Sequence, residues 1–357
     1  MVVRDLWVEG YRSIRDLRLT LAPVTVVVGP NGSGKTNLYQ ALCLLSSAAH
    51  GTLARSLADE GGMPSVLWAG PRKRKAAARF LAGVAMDQIA YQLVCGVVPP
   101  PQGPFELDPD VKEETVWAVT TDTRHIVAQR EGGSAFLRDS EGERTAFPFV
   151  LWNGESFLSQ LGEPHRFPLL SALRGILLGW RFYHHFRTDA DAPMRQLQVG
   201  VRTAALANDG RDLAAALMTV QETGDRERLH AAVEHAFPGT RLELWQNRGR
   251  FGFRLAMPGL LRPLDAAELS DGTLHYLCLV AALLSPRFPT FLALNEPETG
   301  LHLDVLPALA ELITDASERG QVLVTTHSET LARTLEDQAS ASAVRLTTRD
   351  GATILAT

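Results

Sequence analysis

The sequence contains little lysine, few cysteines and no long apolar run. Only four of its 35 basic residues are lysines, and its net charge is −5 at pH 7. This balance excludes a surface that is basic throughout, so any contact with nucleic acid has to be local. The three cysteines, Cys43, Cys95 and Cys278, are odd in number and lie in apolar stretches. Such cysteines are typical of reduced core positions in a cytosolic protein, rather than of disulfides or metal ligands.

Signals for export and membrane insertion are also missing. The first residues lack the profile of a signal peptide. The longest apolar stretch, around residues 277–284, is too short to cross a bilayer. We therefore expect a cytoplasmic protein with no membrane partner. The long stretch between Thr36 and Ser270 contains no sustained heptads, which excludes a long coiled-coil arm.

The length and composition are those of a globular chain with a sizeable core. Its 357 residues are 45% apolar and 21% charged. This size exceeds one average domain, so we expect one large domain with insertions, or two lobes.

The apolar periodicity predicts an α/β fold. Alternating residues at 2–9 and 14–21 predict a hairpin, and the apolar run at 23–28 predicts a buried strand. From Ser270 onward, helix and strand patterns alternate, as in a doubly wound mixed sheet.

The middle of the chain has a different pattern. Period-2 segments between about residues 79 and 149 predict a small antiparallel β lobe on the edge of the α/β domain. Residues 155–178 and 211–236 predict helices, and residues 241–256 predict another hairpin. The predicted domains are a core of residues 1–60 and 265–357, and an insertion of residues 61–264 that holds the β lobe and a helical lobe.

The most specific motif is the segment GPNGSGKT at residues 29–36. Its glycines let the backbone turn N–H groups toward phosphate oxygens. Lys35 would reach the β- and γ-phosphates, and the Thr36 hydroxyl would bind Mg²⁺. A predicted strand precedes the segment and a predicted helix follows it, which is the context that a P-loop requires. The predicted nucleotide-binding residues of this loop are Gly29, Pro30, Asn31, Gly32, Ser33, Gly34, Lys35, Thr36 and Asn37.

Two later segments carry further polar residues at the ends of apolar elements. Ser270, Asp271 and Gly272 precede an apolar helix, where a hydroxyl and backbone N–H groups suit an anion. An ordinary serine N-cap would also account for this segment. The apolar strand at residues 290–294 ends in Asn295 and Glu296, and the strand at residues 321–326 runs into His327.

Together with residues 298–302, which match the D-loop, the segments resemble in their order the motifs of ATP-binding-cassette ATPases: P-loop, signature, Walker B, D-loop and switch histidine. The separation of Ser270 from Glu296 also matches that family. The resemblance implies ATP and Mg²⁺ as ligands. It assigns catalysis to Glu296, His327 and Lys35, because the glutamate would activate water and the histidine would contact the γ-phosphate. Asn295 stands where Asp usually holds a metal-bound water, so the resemblance predicts weaker Mg²⁺ binding or slower turnover.

The segment before the P-loop strand and the segment that starts at Glu296 resemble the RecF/SMC branch of these ATPases. They resemble the compact RecF-like and OLD-type heads in particular. The turn Gly10-Tyr11-Arg12-Ser13-Ile14 precedes the P-loop strand, and the segment EPETGLH occupies residues 296–302. In that branch the arginine approaches the nucleotide, so Arg12 is a candidate phosphate contact. An ordinary surface turn remains the alternative for Arg12.

The resemblance also implies partners. One chain carries one copy of each motif, which implies an ATP-dependent homodimer that pairs the P-loop of one chain with Ser270 of the other. DNA is the implied further partner, in repair, recombination or phage defence, and a partner protein encoded nearby stays open. The alternatives are a transporter-type motor subunit and a slow regulatory ATP switch. About 30 residues follow His327, so we expect no TOPRIM nuclease domain after it.

Two features stay undecided by the sequence. The glutamine of the Q-loop has three candidates, Gln88, Gln92 and Gln160. The basic run at residues 72–75, with Arg79 after it, is a candidate phosphate-backbone contact, although a charge run is usually a solvated face.

Overall fold

The computed structural model describes residues 1–71, 77–98, 104–120, 123–147, 150–160, 162–339 and 341–356. The strands, in chain order, are β1 (Val3–Tyr11), β2 (Ile14–Thr20), β3 (Val24–Val28), β4 (Arg79–Met86), β5 (Ile89–Val97), β6 (Pro109–Val119), β7 (Arg124–Glu131), β8 (Ser134–Arg138), β9 (Arg144–Ala146), β10 (Arg181–Tyr183), β11 (Gln198–Val199), β12 (Arg241–Asn247), β13 (Arg250–Ala256), β14 (Leu264–Asp265), β15 (Phe291–Asn295), β16 (Gln321–Thr326), β17 (Ser342–Arg349) and β18 (Ala352–Leu355).

The helices alternate with these strands. In chain order they are α1 (Lys35–His50), α2 (Leu53–Asp59), α3 (Met63–Val66), α4 (Phe157–Gln160), α5 (Pro168–Gly179), α6 (Leu213–Thr223), α7 (Arg226–Ala236), α8 (Asp271–Leu283), α9 (Leu306–Ser317) and α10 (Glu329–Ala339), with 3-10 turns at Pro193–Arg195, Ala266–Glu268 and Leu303–Val305. Within the described part of the chain, no helix is both long and apolar enough to cross a membrane.

The chain divides into two compact units. The first comprises Met1–Ala22, Gly29–Trp180 and Val344–Thr357, and the second comprises Pro23–Val28 and Arg181–Ala343. The predicted insertion at residues 61–264 is therefore shared between the two units. The division into core and insertion stays a prediction about domains, since these compact units follow other bounds.

The first unit contains an eight-stranded antiparallel sheet in the order β2-β1-β4-β5-β6-β7-β8-β9. The predicted N-terminal hairpin is confirmed, with Leu6 opposite Leu19. The predicted β lobe is antiparallel, but it is not a separate sheet. Strand β4 pairs with β1, with Leu6 opposite Val84. The hairpin offers a free edge to β4, and pairing there satisfies backbone groups that an isolated lobe would leave open.

Helix α1 follows the P-loop and is the main helix of the first unit. It begins after Gly34, whose φ is 97°, and ends at Gly51, whose φ is 73°. Both residues adopt the left-handed conformation that glycine tolerates best, which explains the start and the end of the helix. Leu38, Leu42 and Leu45 lie on its buried face. The helix packs on α5 and on strands β1 and β4.

A fully buried ion pair lies in the antiparallel sheet. The Glu114 carboxylate accepts hydrogen bonds from the Tyr91 hydroxyl at 2.7 Å and from the Ser156 hydroxyl. It also accepts one from the Phe157 backbone at 2.9 Å. The Arg130 guanidinium lies 4.0 Å from this carboxylate, and both side chains are completely buried. Burial raises the pKa of Glu114, while its hydrogen bonds oppose that shift.

The second unit contains four parallel strands in the order β10-β15-β16-β3. Every residue of β3, β15 and β16 is buried. Uniformly buried strands are typical of parallel sheets that helices cover on both faces. Helices α9 and α10 pack on this sheet, and α8 packs on α6 and α9. The α/β fold class is confirmed.

Parallel pairing brings the carboxyl ends of the strands to one edge. Asn295 at the end of β15 is opposite Thr325, and Thr326 at the end of β16 is opposite Val28. The carboxyl edge of an open α/β sheet is the usual place for ligand binding.

Candidate ATP site

The P-loop has the backbone shape that its sequence predicts. Gly32 and Gly34 have φ values of 81° and 97°. A Cβ atom on Gly34 would lie 2.1 Å from the Thr353 hydroxyl, whereas a Cβ atom on Gly32 would meet no atom within 4 Å. Glycine is therefore required at 34 for space, and open volume remains over Gly32. The Ser33 hydroxyl is buried and has no hydrogen-bond partner among the described residues.

Lys35 is folded into this loop. Its ammonium donates hydrogen bonds to the Gly29 carbonyl at 2.7 Å and to the Pro30 carbonyl at 3.1 Å. Thr36 is exposed beside it. The open space over Gly32, the unpaired Ser33 hydroxyl and the lysine fit the phosphates of a nucleotide.

The turn at Arg12 and Ser13 lies against the start of α1. The Asn37 amide donates to the Ser13 hydroxyl at 2.7 Å. Ser13 also contacts the Thr353 hydroxyl at 2.7 Å. The predicted P-loop residue Asn37 therefore ties the helix to this turn.

Arg12 itself is already paired. Its guanidinium lies 2.8 Å from the Glu60 carboxylate, and its backbone φ is 49°. The same carboxylate accepts a hydrogen bond from the Tyr11 hydroxyl, whose pKa is raised by burial and by Glu60. A phosphate contact by Arg12 would have to compete with Glu60, and this contact stays a prediction.

In the second unit, Asn295 uses both ends of its amide. Its Nδ2 lies 2.6 Å from Nδ1 of His184, which follows β10. Its Oδ1 accepts the Thr325 hydroxyl at 2.7 Å. Because Nδ2 is a donor only, Nδ1 of His184 acts as the acceptor and the ring proton is on Nε2. Sequence reasoning missed His184, because only the pairing of β10 with β15 brings it to Asn295.

Glu296 follows Asn295 in a strained conformation. Its φ is 51°, one of four positive values among the described non-glycine residues. Its N–H donates to the Thr325 carbonyl at 2.8 Å, which fixes the turn. The carboxylate is 27% exposed and lies 4.0 Å from Nδ1 of His327.

Glu298 orients His327. Its Oε1 accepts the His327 backbone N–H at 3.0 Å and lies 3.2 Å from Nδ1 of that histidine. It also accepts the Thr326 hydroxyl. Its Oε2 is buried without a hydrogen-bond partner in the described part of the chain. Sequence reasoning placed Glu298 in the D-loop but gave it no role; the available signal was its position two residues after Glu296.

A cavity of about 270 Å³ lies at this edge of the second unit. Three histidines line it, namely His184, His185 and His275, together with Glu296 and Asp271. Burial lowers the pKa of His275. A hydrogen bond from its ring to the Pro297 carbonyl, at 3.0 Å, favours the protonated ring and opposes this shift. None of these histidines was predicted as a site residue.

The predicted signature turn begins helix α8. Ser270 is the N-cap, and its hydroxyl accepts the Thr273 N–H at 3.2 Å. Ser270 and Asp271 are exposed. A Cβ atom on Gly272 would lie 2.6 Å from the Gly300 carbonyl, so the turn and the D-loop touch through backbone.

Two groups of predicted residues have other outcomes. The basic run at residues 72–75 lies outside the described residues, and Arg79 pairs with Glu113 at 2.8 Å. Of the Q-loop candidates, Gln92 accepts a hydrogen bond from the Trp7 indole. Gln160 accepts one from the Trp152 backbone N–H and donates one to the Glu155 carbonyl. The choice between the three glutamines stays open.

The donor set is compatible with Mg²⁺ bound chiefly through a nucleotide. The described residues contain no cluster of three His, Cys, Asp or Glu side chains arranged for a metal. The predicted metal residues, Thr36 and Asn295, offer a hydroxyl and an amide oxygen. Magnesium commonly takes few protein ligands and completes its shell with phosphate oxygens and water.

Comparisons with known proteins bear on the family and the fold. A family profile described as "AAA domain, putative AbiEii toxin, Type IV TA system" matches residues 24–333. An OLD nuclease from Thermus scotoductus is 41% identical over 44 residues. That match covers 12% of this chain and 8% of the nuclease, so the chain matches only a small part of this relative.

Solved SMC heads share the fold. An SMC head bound to the C-terminal winged-helix domain of ScpA aligns with a TM-score of 0.55 at 14% identity, over 100% of this chain and 98% of that one. A second SMC head, from Pyrococcus furiosus and solved with the C-terminal domain of ScpA, gives 0.54 at 13% identity, over 99% and 96%. The chain therefore belongs to the family of AAA domains that includes putative AbiEii toxins, and it shares the fold of the SMC heads.

Proposed function

We propose that this ATPase closes into a homodimer when it binds ATP and reopens after hydrolysis, acting as a DNA-associated clamp. The observation that carries the proposal is the strained Glu296 beside His327. A non-glycine residue in this conformation costs about 1–3 kcal/mol and persists mainly at functional sites. The neighbouring bond from Glu296 to the Thr325 carbonyl holds the strained backbone in place.

The roles of the residues follow from their chemistry. Lys35 and the P-loop N–H groups would bind the β- and γ-phosphates of ATP. Glu296 would accept the proton of the attacking water, because its carboxylate is partly exposed and fixed at the strand end. His327, held by Glu298, would contact the γ-phosphate. When bound, Mg²⁺ would be held by Thr36 and Asn295 with phosphate oxygens and would offset their charge.

The dimer is proposed because each chain carries one P-loop and one signature turn. The Ser270 hydroxyl and the N–H groups of Asp271 and Gly272 would bind the γ-phosphate on the partner chain. The 3-10 turn that follows the D-loop exposes Leu303, whose relative exposure is 68%. An exposed leucine directly after the D-loop suits a two-fold interface, where the same surface meets its copy.

The relatives suggest the biological setting. One is named an OLD nuclease, and the family description names a putative toxin of a toxin–antitoxin system. We therefore propose DNA as the macromolecular partner, in phage defence or DNA repair, with a partner protein encoded nearby. Stimulation of the ATPase by DNA tests this part of the proposal; a rate that no DNA form changes would contradict it.

Glu296→Gln tests the dimer. The amide cannot take the proton of the attacking water, so ATP stays bound and dimers should accumulate with ATP and Mg²⁺. Adding Ser270→Arg should prevent dimers, because a long side chain would fill the place of the partner's γ-phosphate. Light scattering coupled to gel filtration measures both.

The matched control is Glu318→Gln, which makes the same change at an exposed position at the end of α9. It should remain monomeric after turnover, as the unmodified protein does. Glu296→Gln that stays monomeric with saturating ATP would refute the sandwich.

A slow regulatory switch is the second candidate. It is favoured by Asn295, whose amide is already occupied by His184 and Thr325 and supplies no charge to a metal site. In this case the closed dimer would persist for minutes, and its lifetime would determine how long the regulatory signal lasts.

A further inference from the structure

Arg195 holds the turn that leads into the signature motif. Its Nη1 donates to the carbonyls of Ala266, Ala267 and Leu269, at 3.3, 3.1 and 2.8 Å. Its Nη2 donates to the Asp271 carboxylate at 2.7 Å. The sequence alone predicts no role for Arg195, because about 70 residues separate it from the carbonyls that it binds.

The same guanidinium is anchored on its other side. Its Nε donates to the carbonyls of Thr188 and Asp189, each at 3.0 Å. The side chain is only 10% exposed. Arg195 therefore joins two separate segments with one rigid, planar group, and all three of its nitrogens have acceptors.

The turn depends on such a cation. Three of its carbonyls point toward one place, and carbonyl dipoles that converge repel each other unless a donor lies between them. Each buried carbonyl left without a donor costs about 1–3 kcal/mol. Lysine could not replace the fork, because a single ammonium cannot reach acceptors on two sides in a fixed plane.

The turn sets the position of the predicted phosphate contacts. Leu269, whose carbonyl Arg195 binds, directly precedes Ser270, and the bonded Asp271 is the first residue of α8. A shift of Leu269 would move the Ser270 hydroxyl and the first N–H groups of the helix together. The turn packs closely against the backbone of Gly300, since a Cβ atom on Gly272 would lie 2.6 Å from its carbonyl oxygen.

The segment that carries Arg195 starts at the catalytic edge. It follows β10 and begins with His184, which bonds to Asn295. It ends at Arg195, which bonds to the signature turn. One short segment thus connects the residues proposed to act on a chain's own ATP with those proposed to contact the partner's ATP.

We propose that Arg195 is a positioning residue for the signature turn, and that it makes the turn competent to bind the nucleotide of a second copy of this chain. This inference rests on the proposed ATP-dependent dimer. It assigns to Arg195 an effect on dimer closure and none on the binding of ATP by the P-loop.

The test compares variants in the Glu296→Gln background. Arg195→Gln should leave ATP binding by calorimetry unchanged and weaken ATP-dependent dimerisation at least tenfold, measured by analytical ultracentrifugation. Arg195→Lys keeps the charge but loses the fork, so its dimerisation should be intermediate. The control is Arg187→Gln, in the same segment, because the Arg187 side chain is exposed and pairs with Asp189 rather than with the signature turn. It should dimerise normally.

The outcomes separate the two proposals. Normal dimerisation by both Arg195 variants would overturn the role of Arg195 and leave the dimer intact. If Glu296→Gln alone stays monomeric, the proposed function fails, and hydrogen exchange then decides on Arg195. Faster exchange of the Thr273 amide, which bonds to Ser270, in Arg195→Lys than in Arg187→Gln supports positioning; equal exchange overturns it. Arg195→Lys serves both readouts if Arg195→Gln does not fold.

Discussion

Asn295→Asp is the substitution that tests most directly what this site uses in place of a carboxylate. The sequence alone predicts that restoring Asp would strengthen Mg²⁺ binding and raise the rate of hydrolysis. The structure changes this expectation. Asn295 is 2% exposed, and its Nδ2 donates to Nδ1 of His184 at 2.6 Å. An Asp side chain would place an acceptor oxygen against that nitrogen, so His184 could bond to it only after its ring proton moves from Nε2 to Nδ1 or after it binds a second proton.

The magnitude follows from the buried contacts. A carboxylate is buried in place of a neutral amide, and His184 has to change its proton arrangement to keep the contact; together these changes cost about 1–3 kcal/mol at a buried position. The bond from Thr325 to Oδ1 survives, because a carboxylate also accepts it. We therefore expect Asn295→Asp to lower the free energy of unfolding by about 1–3 kcal/mol. We also expect no gain in ATPase rate at any Mg²⁺ concentration.

The assay pairs urea unfolding with steady-state ATPase measured against Mg²⁺. His184→Ala removes the ring that would have to change its proton arrangement, so it should make Asn295→Asp less harmful, with a coupling energy above about 0.5 kcal/mol in a double-mutant cycle. Asn247→Asp, at an exposed strand end, controls for the added charge. An Asn295→Asp variant that is as stable as the unmodified protein and hydrolyses ATP faster at low Mg²⁺ would refute this reasoning.

Other substitutions test the loop, the sheet and the histidine cavity. Lys35→Ala should abolish ATP binding in calorimetry, because the loop loses the cation that faces the phosphates. Gly34→Ala should also weaken it strongly, since its Cβ would meet a hydroxyl at 2.1 Å, whereas Gly249→Ala, equally left-handed but with open space, should not. Glu114→Ala should lower the unfolding free energy in urea by about 3–5 kcal/mol, because it strands a buried arginine. His275 has a lowered pKa, so its stabilising contribution is complete above about pH 6.5 and is lost as the pH falls through the folded value; His275→Gln should lose less stability on acidification, and equal losses would contradict this.

The P-loop shows how much a local sequence can determine. Its glycines, its lysine and the strand and helix on either side form one continuous segment, so its shape depends on backbone preferences of neighbouring residues. The N-terminal hairpin and the strand before the loop were predicted for the same reason. The fold class also followed from local patterns, because fully apolar strands that alternate with helices require a covered parallel sheet.

The β lobe shows where local patterns fail. Its strands were predicted from their period of two, but periodicity gives no information about which edge a strand pairs with. Pairing of β4 with β1 joined the lobe to the N-terminal hairpin in one sheet. Such a contact between distant segments depends on which strand edges are unpaired and which faces are buried together. A short window of sequence shows neither.

What the sequence by itself determined is the set of chemical groups in linear motifs: the P-loop, the strand ending in Asn295 and Glu296, and the signature turn. What only the tertiary structure decided is which distant side chains hold these groups. His184 reaches Asn295 through the pairing of parallel strands, and Arg195 reaches the signature turn across a loop. Both contacts form because the fold brings together segments that are far apart in the chain. A hydrogen bond requires its two atoms to lie within about 3 Å, whatever their separation along the sequence.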